Sequence, residues 1–273
     1  MEFTKYRNND NLKSQKYPKS SSAILIIIFC LLFALIVSSF FAVILKPLIS
    51  SESINKILLI TGEIFLIIPA FLFAFNRGYP VKRLFRLNGV DKKLIGISFV
   101  SGFALTVFMD EIDRFIQIFF PIPEWFESIV EVLAIESKSD FIIIIFGAVI
   151  LASFIEEMLF RGFLQKTLEN YYEITKAVLL ASIIFALIHL NIWWIIQIYL
   201  LSVLLGYMAY RSDSIVPGSI VHIVNNGLAV YFSNIDENSL SWYLWKGHVS
   251  PLILILSVII VLWGYRSFNN SVG

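Results

Sequence analysis

Phe141 to Gln165 reads FIIIIFGAVILASFIEEMLFRGFLQ. Fifteen uncharged residues run straight into Glu156, Glu157 and Arg161. A continuous apolar run without two-residue alternation is a helix rather than a barrel strand, and it needs hydrocarbon around it. Each ionised side chain near a bilayer centre costs about 2.5–3.5 kcal/mol, so three without partners would cost roughly 8–10 kcal/mol. On a helix, Glu157 and Arg161 are four residues apart and can pair. Glu156 is turned about 100° away, so one carboxylate is neutralised locally while the other is left to face a cavity. The plainer reading is a helix end at which charges leave the lipid. Arg161 suits that reading, but two adjacent acids on the basic side of a membrane do not.

The remaining sequence agrees with a membrane setting. Of 273 residues, 58% are hydrophobic, with mean hydropathy +0.80. A soluble domain holds nearer about 45–50% apolar residues. Hydropathy marks eight spans, roughly 23–45, 57–75, 94–119, 141–160, 176–190, 192–209, 214–232 and 249–265. The fold class expected is therefore an all-α polytopic helix bundle. Residues 1–273 are read as a single membrane domain, since no repeat or flexible linker interrupts them. The run Ala23–Leu45 is too long for a signal-peptide core and reads as a retained first span. Sixteen of the 21 Lys and Arg fall in segments on one side of this topology, and five (Lys46, Lys56, Arg114, Lys138 and Lys246) on the other. By the positive-inside rule both termini are expected in the cytoplasm. The net charge of +1 gives no reason to expect nucleic acid as a partner. Glu124, Glu127 and Glu131, spaced among apolar residues after Pro121 and Pro123, suggest an amphipathic helix on the outer surface, or a packed loop.

Two further polar clusters fall within apolar spans. His189 ends the run FALIH, with Phe185 one turn earlier on the same face. His222 and Asn226 share a helical face four residues apart, whereas Asn225 points elsewhere and reads as interhelical glue. Glue is an equally good reading of the His222/Asn226 pair taken alone. Taken together, a free carboxylate, an imidazole and a His/Asn pair can activate water and hold a developing oxyanion. Glu63 has no visible partner, His248 reads as a solvated loop residue, and Asp110, Glu111 and Asp113 read as a loop end. Counting rise along straight helices puts Glu156 and His189 at depths differing by about 10 Å, in a hydrocarbon core about 30 Å thick. The tight connection near Leu190 and Asn191 reads as a partly buried hairpin.

These residues resemble the CPBP family of intramembrane proteases, which includes type II CAAX prenyl endopeptidases and bacterial Abi proteins. Its motifs E-E-x-x-x-R, F-x-x-x-H and H-x-x-x-N stand here as EEMLFR (Glu156, Glu157, Arg161), FALIH (Phe185, His189) and HIVNN (His222, Asn226), in that order and in separate spans. The resemblance covers residues 140–232, which would form the catalytic core. It implies that Glu156 and His189 polarise water, that His222 and Asn226 hold the oxyanion, and that Glu157, Arg161 and Phe185 support them. It implies a peptide or protein substrate, prenylated in the eukaryotic members, cut near the cytoplasmic leaflet, and a prokaryotic plasma membrane as the location.

Other protease chemistries find little support. The chain lacks an H-E-x-x-H zinc motif, a G-x-S-G serine site and a G-x-G-D aspartyl motif, and Cys30 is its only cysteine. A zinc held by Glu156, His189 and His222 would satisfy a two-His, one-carboxylate pattern, but water activation without a metal is the reading preferred. The competing functions are an ion-coupled transporter using the same buried charges and a non-enzymatic scaffold or immunity protein on the same fold.

Overall fold

The computed structural model describes residues 17–123 and 131–272. Each of the eight expected spans falls on a helix: α1 Ser20–Leu45, α2 Ser51–Asn76, α3 Lys92–Gln117, α4 Lys138–Leu168, α5 Ile174–Ile188, α6 Ile195–Ser212, α7 Val216–Ser233 and α8 Pro251–Val272. Six of these, α1 to α4, α6 and α8, are long and apolar enough to cross a membrane. α5 is a shorter apolar helix of 15 residues and α7 has 18. The strands recorded among the described residues are a two-residue pair, Leu244–Trp245 with His248–Val249. The chain is an all-α membrane helix bundle. Large apolar side chains such as Leu35, Ile36 and Phe40 on α1 are exposed, as expected where lipid replaces water as the surrounding medium.

α1 lies along α2, where Cys30 is fully buried as a packing residue. α3 and α7 run in parallel. Their starts are tied together by Asn88 Nδ2 donating to Asp213 O at 2.8 Å, Ser214 Oγ donating to Asn88 O at 2.6 Å and Ile215 N–H donating to Arg86 O at 3.1 Å. Gly102 lets the two backbones approach: a Cβ there would stand 3.0 Å from Val224 Cβ and 3.3 Å from Val221 Cα.

α4 carries the charged motif, and it is not a uniform helix. A capping box starts it, with Ser137 Oγ accepting from Asp140 N–H and Asp140 Oδ2 accepting from Ser137 N–H, both at 3.1 Å. Two π-helical stretches, Ile145–Leu151 and Met158–Leu164, then flank a short α segment, Ala152–Glu157. Such turns are rare and collect at functional sites. In the second, Gln165 N–H reaches back to Phe160 O, five residues away, and also to Gly162 O, passing over Arg161 O. Arg86, fully buried in the loop after α2, donates from Nη1 to that carbonyl at 3.0 Å. It also pairs with Glu169 and Asp213. This loop therefore plugs the end of α4 just below the motif.

Gly162 makes that plug fit. A Cβ on it would lie 2.7 Å from Phe85 O and 2.8 Å from Phe85 Cα, and backbone atoms cannot swing aside. Gly162→Ala is expected to destabilise the protein by about 1–3 kcal/mol through overpacking. Gly96→Ala, where a Cβ meets nothing within 4 Å, is expected to be neutral or slightly stabilising. Thermal unfolding of both variants in micelles checks the contrast.

The hairpin after α5 exists and is partly buried: Leu190 stands 91% exposed with φ 50, whereas Asn191, Trp193 and Trp194 are half-buried. Asn191 Oδ1 accepts from Trp193 N–H and Trp194 N–H and fixes the turn that precedes the next helix. Other sequence expectations change. Asp110, Glu111 and Asp113 are not a loop end; they lie in the last turns of α3. His248 is held by Glu111, with Nδ1 2.9 Å from Oε1. Most of the expected outer amphipathic segment, residues 124–130, lies outside the described residues, and Glu131–Leu133 form a single 3-10 turn.

Candidate active site

A cavity of about 430 Å³ opens between α3, α4, α5, α6 and α7. Glu156, His189, His222 and Asn226 all line it. The depth conflict between Glu156 and His189 disappears in the folded chain. α5 stops at His189, which caps its C-terminus, and α4 is interrupted by π turns. A ruler laid along straight helices misjudges both.

Glu156 and Glu157 diverge as helix geometry requires. The Glu157 side chain is fully buried, and its Oε1 lies 2.9 Å from Arg161 Nη1, an ion contact off the axis of a good hydrogen bond. The same oxygen lies 3.2 Å from His222 Nδ1. Arg161, 1% exposed, also donates from Nη2 to Ser202 Oγ at 3.0 Å and stacks its guanidinium 4.2 Å from the centre of the Phe185 ring. Glu156, by contrast, faces the cavity. Its Oε2 is buried without a hydrogen-bond partner among the described residues and lies 3.8 Å from His222 Nε2. Glu63 on α2 stands within electrostatic reach of Glu156, and its Oε2 too has no hydrogen-bond partner among the described residues.

The two imidazoles are oriented by their Nδ1 atoms. His189 Nδ1 lies 2.8 Å from Phe185 O. A carbonyl can only accept, so Nδ1 carries the proton and a neutral ring presents a lone pair at Nε2. His222 Nδ1 is held by Glu157, which turns Nε2 towards Glu156. Phe185 wedges between these groups, its ring centre 4.7 Å from that of His189 and 6.0 Å from that of His222. Asn226 uses both amide hydrogens, towards Ala148 O at 3.1 Å and Ser153 Oγ at 3.4 Å.

The sequence missed four features here. Glu157 holds His222 as well as Arg161. Asn225 lines the cavity rather than pointing away, and Nδ2 donates to Asn226 Oδ1 at 3.4 Å. Ser153 and Ser202, ordinary residues in an apolar run, bond site groups from neighbouring turns and helices. Asp113 lines the far end of the cavity. A polar residue inside an apolar span was the available signal for each.

Among the described residues no three His, Cys, Asp or Glu side chains gather closely enough to hold a metal ion. Nδ1 of each site histidine is directed at an acceptor, Phe185 O or Glu157, which leaves Nε2 as the free ring nitrogen. What the arrangement offers is a partnerless carboxylate oxygen beside two oriented imidazoles, in a cavity with largely apolar walls.

No curated protein and no solved structure matches the chain. Residues 138–228, a third of the sequence, match the protein-family model described as Type II CAAX prenyl endopeptidase Rce1-like. That segment runs from α4 into α7 and holds the three motifs, so the match supports the resemblance they carry to the CAAX-protease family.

Proposed function

We propose that the protein is an intramembrane endopeptidase in which Glu156 and His189 activate water against a peptide bond near the cytoplasmic leaflet. The observation that carries the reading is the convergence of Glu156, His189, His222 and Asn226 on one cavity, with Glu156 Oε2 left unpartnered. In the reaction, Glu156 takes a proton from water as the water oxygen bonds to the scissile carbonyl carbon. His189 orients that water through Nε2. The carbonyl oxygen becomes an oxyanion, held by His222 from Nε2 when protonated there and by Asn226. The longer of the two Asn226 bonds, to Ser153 at 3.4 Å, is the one that yields to substrate. The C–N bond then breaks, and the proton on Glu156 passes to the leaving amine.

Residues 1–273 act in this reading as one membrane domain, with 140–232 as the catalytic core and both termini in the cytoplasm of a prokaryotic cell. Leu201, Leu205 and Val230 in the cavity wall suit an apolar or lipidated peptide. The test is peptide release by protein reconstituted in vesicles, read by mass spectrometry. Wild type is expected to cut at a defined bond, and His222→Ala to lose about 100-fold or more of the rate, the scale for removing one oxyanion donor. Full cleavage by His222→Ala would remove this mechanism, and ion or solute flux without cleavage would favour a transporter.

A further inference from the structure

The far end of the cavity is acidic, and one acid there makes no ion pair within 4 Å among the described residues. Asp110, Glu111 and Asp113 lie within about one turn of α3. Asp110 Oδ2 accepts from Arg114 Nε at 2.9 Å and from Tyr243 Oη at 2.8 Å. Glu111 accepts from His248 Nδ1 at 2.9 Å and from Val249 N–H at 2.8 Å. Asp113 differs. Its residue is 9% exposed, and it lines the cavity together with Phe232 and Ser233. Among the described residues, Oδ2 accepts from the neutral Gln117 amide, and Oδ1 is buried with no partner. An ionisable residue on the cavity wall, with one carboxylate oxygen unpartnered among the described residues and a nearby Arg114 that is already bonded to Asp110, is placed to meet a donor brought from outside.

We propose that Asp113 forms a specificity subsite for a cationic N–H group of the substrate, at a fixed distance from the bond to be cut. This rests on the peptidase reading of the same cavity. The distance follows from the parallel run of α3 and α7. Gly102 on α3 is level with Val221 and Val224, hence with His222. Asp113 lies eleven residues further along α3 and Ser233 eleven further along α7, which is about 16 Å up both helices. An extended peptide covers that in about five residues. A lysine or arginine side chain needs somewhat less backbone because its own stem reaches part of the way, whereas a free amino terminus must itself arrive there.

The test separates this subsite from the chemistry by using Glu156→Gln protein in vesicles, which is expected not to hydrolyse its ligands. The probes are fluorescent ten-residue leucine/alanine peptides with both termini blocked, in which one lysine is moved along the chain and compared with norleucine at the same place. A parallel set has norleucine throughout and a free amino terminus. One lysine register, or the free amino terminus, is expected to bind at least about tenfold more tightly than its uncharged counterpart. Asp113→Asn, which keeps the bond to Gln117, is expected to abolish that difference without weakening the norleucine peptides. Equal binding of charged and uncharged peptides at every register by protein with Asp113 intact would overturn the subsite, as would a preference that survives Asp113→Asn. The intact-Asp113 comparison needs no change at Asp113, so misfolding of the Asn variant cannot hide the answer. A clear preference in protein whose Glu156 form cuts nothing would remove only the peptidase reading. Cleavage by wild type with no preference would remove only the subsite.

Discussion

Glu156→Gln is expected to lower kcat/KM for peptide hydrolysis by about 10²–10⁴-fold, the usual contribution of a positioned general base, while leaving the fold intact. The two halves of that expectation come from one observation. Glu156 Oε2 accepts no hydrogen bond from any described residue, so the substitution breaks no hydrogen bond at that oxygen. Gln keeps the shape and removes only the ability to take a proton from water. It also removes one of two neighbouring acids, since Glu63 lies within electrostatic reach, so thermal stability is expected to be unchanged or slightly raised. His189→Ala is expected to cost activity on a similar scale, because its Nε2 lone pair is the other group offered to the water. Initial rates in vesicles, taken beside unfolding midpoints, check both. A Glu156→Gln protein that is stable and still cuts at the wild-type rate would mean that this carboxylate does not take the proton.

How much of this could be read from the residues depends on the range of the interaction. The eight helices follow from hydropathy, which needs no knowledge of neighbours. The Glu157–Arg161 pair follows from a spacing of four, since helix geometry alone brings such residues together. The contact of Glu157 with His222 is 65 residues long-range, and no local spacing contains it. It depends on the rotation of α4 relative to α7, which depends in turn on close approaches such as Gly102 against Val221 and Val224. The same reasoning explains Asp113. Its position near the end of an apolar run suggested a loop, and only the parallel packing of α3 on α7 carries it to the cavity. The π turns in α4 were also hidden, because their residues are ordinary helix formers. The buried Arg86 that caps one of those turns came from a loop read only as a source of positive charge. Outside the matched segment, α1, α2 and α8 were legible as spans and nothing more.

Arg161→Met is expected to cost about 3–5 kcal/mol, because it leaves Glu157 as an uncompensated charge in a site closed to water. Arg161 is 1% exposed and Glu157 0%, so neither the loss nor the pairing is screened by solvent. The stacking of the guanidinium on Phe185 at 4.2 Å and the bond to Ser202 are lost as well. Adding Glu157→Gln to Arg161→Met removes the stranded charge, and the double variant is expected to be more stable than Arg161→Met alone. Stability regained in this way need not bring activity back. Gln can still meet His222 at Nδ1 only as a neutral acceptor, and the wedge of Phe185 between His189 and His222 loses the cation packed on its face. The expected pattern is therefore a split: unfolding resistance recovers in the double variant, whereas cleavage stays at least about tenfold below wild type, the loss expected from removing a supporting partner. Denaturant unfolding and initial rates on the same four proteins, wild type, both single variants and the double, measure the two effects separately. Full recovery of both would reduce the pair to a structural clamp. Recovery of neither would mean that Arg161 acts mainly through Phe185 and Ser202, and that its charge was never the point.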